Sequence, residues 1–210
     1  DTGHVFPESA EPYRVELETR LRFGDLDVFF RPLKLSDERR LKDLLYSQSQ
    51  ETTYMRFGIP LKRLSERQFQ ELVAIDYRNS MALGAFVREG RRERLVAVSR
   101  YYADAGSGFA EAAFTVHDTY QGKGIGSFMV NYLTWIAREQ GLEGFIAEVV
   151  SLKPQMRHIL KKYFRKLHEV DLGPDGISIK MSFADWLGKG NPAEALRAAQ
   201  AKSVGHPAAR

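Results

Sequence analysis

The sequence predicts one α+β domain: a mixed, mostly antiparallel twisted sheet of six or seven strands flanked by four helices. Three strand-like runs, at 81–87, 95–102 and 109–117, are joined by connections that are too short for a crossover. They are therefore expected to form an antiparallel meander. The next strand, at 145–150, follows a helical stretch, so it is expected to run parallel to the strand before it through a right-handed crossover.

An edge hairpin is predicted at the start of the sheet. Apolar residues recur at every second position from Tyr13 to Phe23, and the run resumes at 28–30 after Gly24-Asp25. Alternation on both sides of a turn is typical of two paired strands.

Two helices are predicted between this hairpin and the meander. Ser36 or Asp37 can cap the first helix, which carries leucines at helical spacing and runs to about Ser49. In the second, Ser65 and Gln68 have the spacing of a capping box, in which each side chain satisfies a backbone N–H at the helix start.

A glycine-rich stretch at 121–126 opens a third helix, whose apolar positions form one stripe and which Gly141 can end as a left-handed cap. After the strand at 145–150, Pro154 suits the first turn of a fourth helix with inward positions as far as Leu167. A turn of glycine, proline and aspartate then leads into a last strand at 177–183.

The chain is expected to divide into three parts. Residues 1–24 form an N-terminal extension with an edge strand, and 25–187 form the domain itself. Residues 188–210 are rich in glycine, proline, alanine and glutamine, which predicts a flexible tail or a short helix beginning at Pro192.

Composition excludes several classes of protein. The 210 residues are 43% hydrophobic and 28% charged, as in ordinary globular proteins. There is no cysteine, so disulfides, thiolate metal sites, iron–sulfur clusters and a cysteine nucleophile are excluded, and the five histidines lack ligand spacing, so no metal is expected. No apolar stretch approaches the roughly 18 residues of a membrane span, and no signal peptide is visible. A soluble, cytoplasmic protein without a membrane partner is expected.

The charge balance gives little support to a nucleic-acid partner. The formal net charge of +4 arises from 31 basic and 27 acidic residues. A DNA-binding domain usually has a concentrated basic face. No nucleic-acid partner is therefore expected, and the sequence leaves open a monomer or a homodimer.

The glycine-rich stretch 121–126 has the features of an anion site. Glycine lets the backbone approach a ligand closely, and free N–H groups converge at the helix start, where the dipole is equivalent to about half a positive charge. A Walker loop would need Gly-Lys-Ser/Thr, which is absent. A dinucleotide fingerprint would need a third glycine where Ser127 stands, although Glu148 lies at about the right distance for the ribose acid.

The third interpretation is a resemblance. Gln121-Gly122-Lys123-Gly124-Ile125-Gly126 is similar to the Gln/Arg-x-x-Gly-x-Gly/Ala motif of the GNAT superfamily of N-acetyltransferases, and the order of elements over 28–183 resembles the family's. The stretches at 54–57 and 75–83 resemble the acetyltransferase domain of bacterial protein-lysine acetyltransferases. The resemblance implies acetyl-CoA as co-substrate and an amine, most simply a protein lysine, as acceptor.

The resemblance also implies the residues that hold the coenzyme. Loop amides would bind the pyrophosphate, backbone groups of the preceding strand would pair with the pantetheine arm, and basic side chains would reach the outer phosphates. The residues concerned are Gln121, Gly122, Lys123, Gly124, Ile125, Gly126 and Ser127 in the loop, Phe114, Thr115 and Val116 in the strand, and Lys153 and Arg157 as the cations.

Direct attack on a thioester requires a base. A lysine amine with a pKa near 10.4 is neutral in only about one molecule in 2,500 at pH 7, a penalty of roughly 4.6 kcal/mol. Glu111 lies ten residues before Gln121, where the lysine-acetyltransferase type has its catalytic glutamate, so the resemblance implies that it is the base. Burial against the sheet would strengthen it, and a bulge in its strand would change the face on which it lies.

The acid for the leaving thiolate is less defined. The family often has a tyrosine in the last long helix, but Leu160 stands at that position and Tyr163 lies one turn away. Tyr163 is one candidate, and water or no dedicated acid are the others. Asp76 and Glu51 are candidate receptors for a cationic acceptor.

Two other functions stay open from the sequence. One is acetylation of a small-molecule amine. The other is a non-catalytic acyl-CoA sensor, in which the loop binds coenzyme A and Glu111 has no role.

Overall fold

A computed structural model of the chain describes residues 11–49, 64–103 and 106–204. It has eight strands and five helices in these ranges, one strand and one helix more than the larger of the predicted numbers. The strands are β1 (Thr19–Phe23), β2 (Leu26–Pro32), β3 (Ser80–Glu89), β4 (Arg92–Ala103), β5 (Phe109–Val116), β6 (Gly144–Val149), β7 (His168–Asp171) and β8 (Ile177–Ser182). The helices are α1 (Glu38–Tyr46), α2 (Glu66–Val73), α3 (Ile125–Glu139), α4 (Pro154–Tyr163) and α5 (Pro192–Val204).

All eight strands belong to one sheet with the order β1-β2-β3-β4-β5-β6-β8-β7. The pair β5–β6 is parallel and every other pair is antiparallel, so the predicted mixed, mostly antiparallel sheet is confirmed. The parallel pair is the one that α3 connects, as expected for a strand–helix–strand crossover.

Two hydrophobic clusters lie on opposite faces of the sheet. One packs α1 and α2 against β2, β3 and β4, and the other packs α3, α4 and α5 against the opposite face.

The start of α2 agrees with the sequence prediction. The capping box is present, since Ser65 Oγ accepts from the Gln68 N–H at 3.2 Å and Gln68 Oε1 accepts from the Ser65 N–H at 2.8 Å.

Two local predictions were wrong. Val15–Leu17 is a 3-10 turn, not the start of a strand, because the Leu17 N–H donates to the Arg14 carbonyl. α4 ends at Tyr163, and Phe164 is extended and buried, where it bridges to Trp186 instead of continuing the helical stripe.

The free edge of β1 is covered by α5. Both backbone groups of Arg22 bond to the side-chain amide of Gln200, with N–H to Oε1 at 3.1 Å and carbonyl to Nε2 at 2.7 Å. Arg197 also donates to the Thr19 hydroxyl. A side-chain amide thus takes the place of a neighbouring strand, which protects the edge from pairing with another chain.

Candidate active site

β5 and β6 separate part-way along their length. They pair at only three positions, and the last pair joins Glu111 to Ile146. β5 nevertheless continues to Val116 and β6 to Val149. Beyond Glu111 the two strands therefore leave a gap in the middle of the sheet.

The backbone of β5 offers unused peptide groups to this gap. The His117 N–H donates to the Val96 carbonyl at 2.8 Å, and the register between β4 and β5 is regular throughout, without a bulge. In a regular antiparallel ladder only alternate residues bond to the partner strand. The N–H and carbonyl groups of Phe114 and the N–H of Val116 therefore point away from β4 and toward the gap, while the Val116 carbonyl on the same side accepts from the Gln121 side chain.

The gap widens into a cleft with a volume of about 660 Å³, which is within the usual range for small-molecule sites. Its walls are β5, β6, the glycine-rich loop and α4. Nine of the predicted coenzyme residues line it: Phe114, Thr115, Val116, Gln121, Gly122, Gly124, Gly126, Ser127 and Lys153. Lys123, Ile125 and Arg157 do not line it: Lys123 is exposed, Ile125 is in the core, and Arg157 forms an ion pair with Glu169.

The loop has the backbone shape that an anion site requires. Gly122 and Gly124 have φ values of +73° and +90°, and Gly124 is the residue that precedes α3. A Cβ atom added at Gly126 would lie only 3.1 Å from Cγ2 of Val116, so glycine permits the close packing of helix and strand here. The free N–H groups of the first turn of α3 and the positive end of its dipole therefore lie at the cleft.

Side chains hold this loop in place. Gln121 Nε2 donates to the Val116 carbonyl and to Asp118 Oδ1, both at 3.1 Å. At the start of α3, Ser127 Oγ lies 3.0 Å from the Tyr163 hydroxyl and 3.4 Å from Lys162 Nζ. Tyr163 is thus bonded to the loop and is not among the residues that line the cleft.

Two basic side chains of the cleft were not identified as site residues from the sequence. Lys162 and His158 line the same wall as Lys153, on exposed positions of α4. The signal in the sequence is the group of basic residues at 153–162, which alone does not tell which lysine faces the cleft.

Glu111 is placed at the point where β5 and β6 separate. By alternation it shares the face of Ala113 and Thr115, which is the face covered by α1 and α2. Its side chain is exposed, so the expected burial was wrong. In the part of the chain that the structure describes, the carboxylate forms no ion pair.

Comparison with known proteins identifies this arrangement. Residues 27–163 match the family described as "Acetyltransferase (GNAT) domain". The chain belongs to this family. The mixed sheet with a parted parallel pair and the glycine loop at the start of α3 are thus parts of a GNAT domain.

Three relatives illustrate the similarity of this GNAT domain. "Acetyltransferase PA5475" of Pseudomonas aeruginosa is 36% identical over 114 residues, which are 54% of this chain and 61% of the relative. "Acetyltransferase Pat" of Mycolicibacterium smegmatis is 30% identical over 158 residues, 75% of this chain and 46% of the relative. The GNAT domain of S. lividans PAT superimposes with a TM-score of 0.68 at 27% identity, over 81% of this chain and 99% of that one. The chain thus spans about half to three fifths of the length of the two curated relatives.

Asp76 and Glu51 are the two residues predicted to bind a cationic acceptor substrate. The carboxylate of Asp76 accepts from the backbone N–H groups of Arg78, Asn79 and Ser80 and from the side chains of Asn79 and Ser80. It therefore organises the turn before β3. Glu51 lies outside the described residues.

His117 lies beside the loop and is almost fully buried. Its Nε2 is 3.1 Å from Arg94 Nη2, and its Nδ1 is 2.9 Å from the Thr119 hydroxyl. Because arginine can only donate, Nε2 is the acceptor and the ring is neutral. Burial, and then the charge of Arg94, lower the pKa of His117 below its usual 6.5.

This lowered pKa predicts a loss of stability in mild acid. Between the folded pKa and about 6.5 the unfolded chain binds the proton and the folded chain does not, so the free energy of unfolding falls as the pH drops below about 6.5. Urea titrations from pH 7.5 to pH 5 measure this fall. His117→Gln, which keeps an acceptor for Arg94, is expected to have a shallower pH dependence, and identical slopes for the two proteins would contradict the assignment.

The described ranges contain neither a cluster of metal ligands nor a membrane-spanning helix. No three His, Asp or Glu side chains in them come together as metal ligands. No helix within them is long and apolar enough to cross a membrane.

Proposed function

We propose that this GNAT domain transfers the acetyl group of acetyl-CoA directly to an amine, most specifically a lysine side chain of a protein, with Glu111 as general base. The observation that carries the proposal is the parting of β5 and β6 at Glu111, which joins the coenzyme cleft to the opposite face of the sheet. A donor in the cleft and an acceptor on the other face would meet at that point.

The donor would be held mainly by backbone groups. The diphosphate suits the free N–H groups of the first turn of α3, and Lys153 and Lys162 supply positive charge to the same cleft. The amide groups of the pantetheine arm can pair with the unused peptide groups of Phe114 and with the N–H of Val116 as an added strand would. This arrangement directs the thioester toward the end of the β5–β6 pairing.

The acceptor would approach from the face on which Glu111 is exposed. Glu111 takes a proton from the ammonium, and the neutral nitrogen then attacks the thioester carbonyl. A backbone N–H of β5 that faces the gap, near Val116, can donate to the developing oxyanion. Collapse of the intermediate breaks the carbon–sulfur bond, and the nitrogen gives up its second proton to water as the amide forms. The thiolate of coenzyme A takes a proton from water.

Tyr163, one of the candidate general acids from the sequence, is not the acid in this proposal. Its hydroxyl bonds to Ser127 at the pyrophosphate end of the cleft. We therefore assign it to the binding of coenzyme A, with water as the source of the proton for the thiolate.

A protein acceptor is supported by two observations. The 30% identical relative is named "Acetyltransferase Pat", and the solved structure at 27% identity is the GNAT domain of a PAT protein. Glu111 is also exposed on an open part of the sheet, where a side chain that projects from a larger partner can reach it.

Acceptor classes can be compared with radiolabelled acetyl-CoA. Lysine-containing peptides and proteins are expected to become labelled, whereas the same peptides with arginine at the lysine positions are not. Label that appears only in small amines would replace the protein acceptor with a small-molecule one. Binding of coenzyme A without transfer to any amine would indicate a sensor, and no binding at all would reject the proposed cleft.

A loop variant tests the coenzyme site itself. Gly124→Ala puts a Cβ at φ +90°, a conformation that costs an L-residue roughly 1–2 kcal/mol. The affinity for coenzyme A in calorimetry is expected to fall roughly 5- to 30-fold as the loop loses its shape. Gly141→Ala is the matched control, since Gly141 has φ +84° at the far end of α3. Equal losses in the two variants, or none at Gly124, would contradict the proposed loop contact.

A further inference from the structure

A buried arginine lies on the face of the sheet that Glu111 shares, and no carboxylate of the described residues pairs with it. Arg100 is 6% exposed and sits on β4 opposite Ala113. Within the described residues it forms no ion pair, and its hydrogen bonds come only from Nη1, to the Leu72 carbonyl at 3.0 Å and to the Tyr102 hydroxyl oxygen at 3.2 Å. Burying an unpaired charge is costly, so the arrangement calls for an explanation beyond stability.

The contacts of Arg100 determine which part of the Tyr102 hydroxyl stays available for a further hydrogen bond. The carbonyl of Leu72, near the end of α2, anchors the guanidinium, and the guanidinium in turn occupies a lone pair of the tyrosine oxygen. Since arginine only donates, the Tyr102 proton is not used in this bond. The hydroxyl therefore has one donor left, at a side chain that is 37% exposed.

Glu111 is the residue directly opposite Tyr102 in the β4–β5 register. Directly opposed residues place their side chains on the same face, with Cβ atoms about 5 Å apart. The exposed carboxylate of Glu111 and the remaining donor of Tyr102 are thus on neighbouring strands, at the point where β5 and β6 part.

We infer that Tyr102 is a positioning residue for Glu111. The two side chains form no hydrogen bond in the described structure, but the Tyr102 hydroxyl, held by Arg100, is placed to donate to one carboxylate oxygen during the reaction and to leave the other oxygen for the acceptor's proton. The inference rests on the proposed function, because it assigns no role to Tyr102 apart from Glu111. Tyr102 keeps its own proton throughout, and the proton that moves is the one from the ammonium to Glu111.

A double-mutant cycle tests whether Tyr102 acts through Glu111. Tyr102→Phe is expected to lower kcat about tenfold, the effect of one hydrogen bond of ordinary strength, and to leave the KM for acetyl-CoA unchanged. In a Glu111→Gln background the same substitution is expected to change kcat less than twofold, since residues that act as a unit are not additive. Tyr46→Phe, on an exposed tyrosine of α1, is the control for loss of a hydroxyl.

The outcomes separate this inference from the proposed function. An equal fall of kcat in both backgrounds would mean that Tyr102 acts on the substrate and would overturn the inference, as would no fall in either. If Glu111→Gln itself left turnover unchanged, the proposed base would fail instead. Arg100→Lys keeps a donor for Tyr102, so it is expected to retain more activity than Arg100→Met, and equal activities would count against the role of Arg100.

Discussion

Glu111→Gln is expected to lower turnover at least about 100-fold while the affinity for coenzyme A stays nearly unchanged. The amide is similar in size and can still accept a hydrogen bond, but it cannot take the proton of an ammonium, so the attacking amine must lose that proton to water. A general base typically contributes a factor of about 100 to 10,000. Steady-state transfer to a lysine peptide gives kcat, and calorimetry gives the affinity.

The control for this variant is Glu139→Gln, on an exposed position at the end of α3. It removes the same charge from the domain but should leave turnover within about twofold, because surface changes away from a site are usually small. Turnover of Glu111→Gln equal to that of the control would remove Glu111 from the mechanism. Weakened coenzyme binding in Glu111→Gln would instead mean that the side chain serves the donor.

The backbone chemistry of this site could be predicted from local sequence. Glycines at alternate positions before an apolar stripe predict an anion-binding helix start, and Gly122 and Gly124 do have the positive φ values that only glycine adopts readily. Alternation along 109–117 predicts that Glu111 shares a face with Ala113 and Thr115, and the regular pairing of β4 with β5 confirms it, since alternation depends on no distant contact.

The parting of β5 and β6 could not be predicted, because it depends on where two strands far apart in sequence stop pairing. For the same reason the exposure of Glu111 was missed: β5 is a central strand, but nothing in the described residues covers it at this point. The role of Tyr102 depends on register as well. Only the pairing of β4 with β5 places it opposite Glu111.

A short polar strand could not be predicted from the sequence pattern either. β7 has the sequence His-Glu-Val-Asp and is exposed at all four positions, so no alternation marks it. The stripe of α4 appeared to continue because Phe164 and Leu167 are apolar. Tertiary packing of Phe164 against Trp186 ended the helix instead.

The role of Asp37 also differs from the one predicted from the sequence. The sequence predicted a helix cap, but its carboxylate pairs with Arg31 through two bonds of 2.7 and 2.9 Å and accepts the Lys34 N–H at 2.9 Å. Arg31 is largely buried and also lies 3.8 Å above the ring of Phe86. The pair therefore joins the start of α1 to β2 beneath the helices that cover the acceptor face.

Asp37→Ala is expected to lower the free energy of unfolding by about 3–5 kcal/mol, the usual result of removing one partner from a buried ion pair. The cause is the buried guanidinium of Arg31, which loses its main acceptor and, among the described residues, keeps the Pro32 carbonyl and a longer contact to Glu93 as acceptors. Denaturant unfolding measures the change. Asp43→Ala, on an exposed position of the same helix, should stay within about 0.5 kcal/mol of the wild type.

The same pair predicts how the domain responds to acid. Burial acts to raise the pKa of Asp37, but the hydrogen bonds and charge of Arg31 outweigh it and hold the pKa below the ordinary 3.8. The pair's contribution is therefore complete above about pH 4 and is lost as the pH falls through the folded pKa. Asp37→Ala should lose less stability in acid than the wild type.

The double variant Arg31→Met with Asp37→Leu tests the cause of the loss in Asp37→Ala. Two apolar side chains of similar volume leave no buried charge without a partner. If the double variant recovers most of the stability, the cost in the single variant comes from the unpaired charge rather than from a lost attraction.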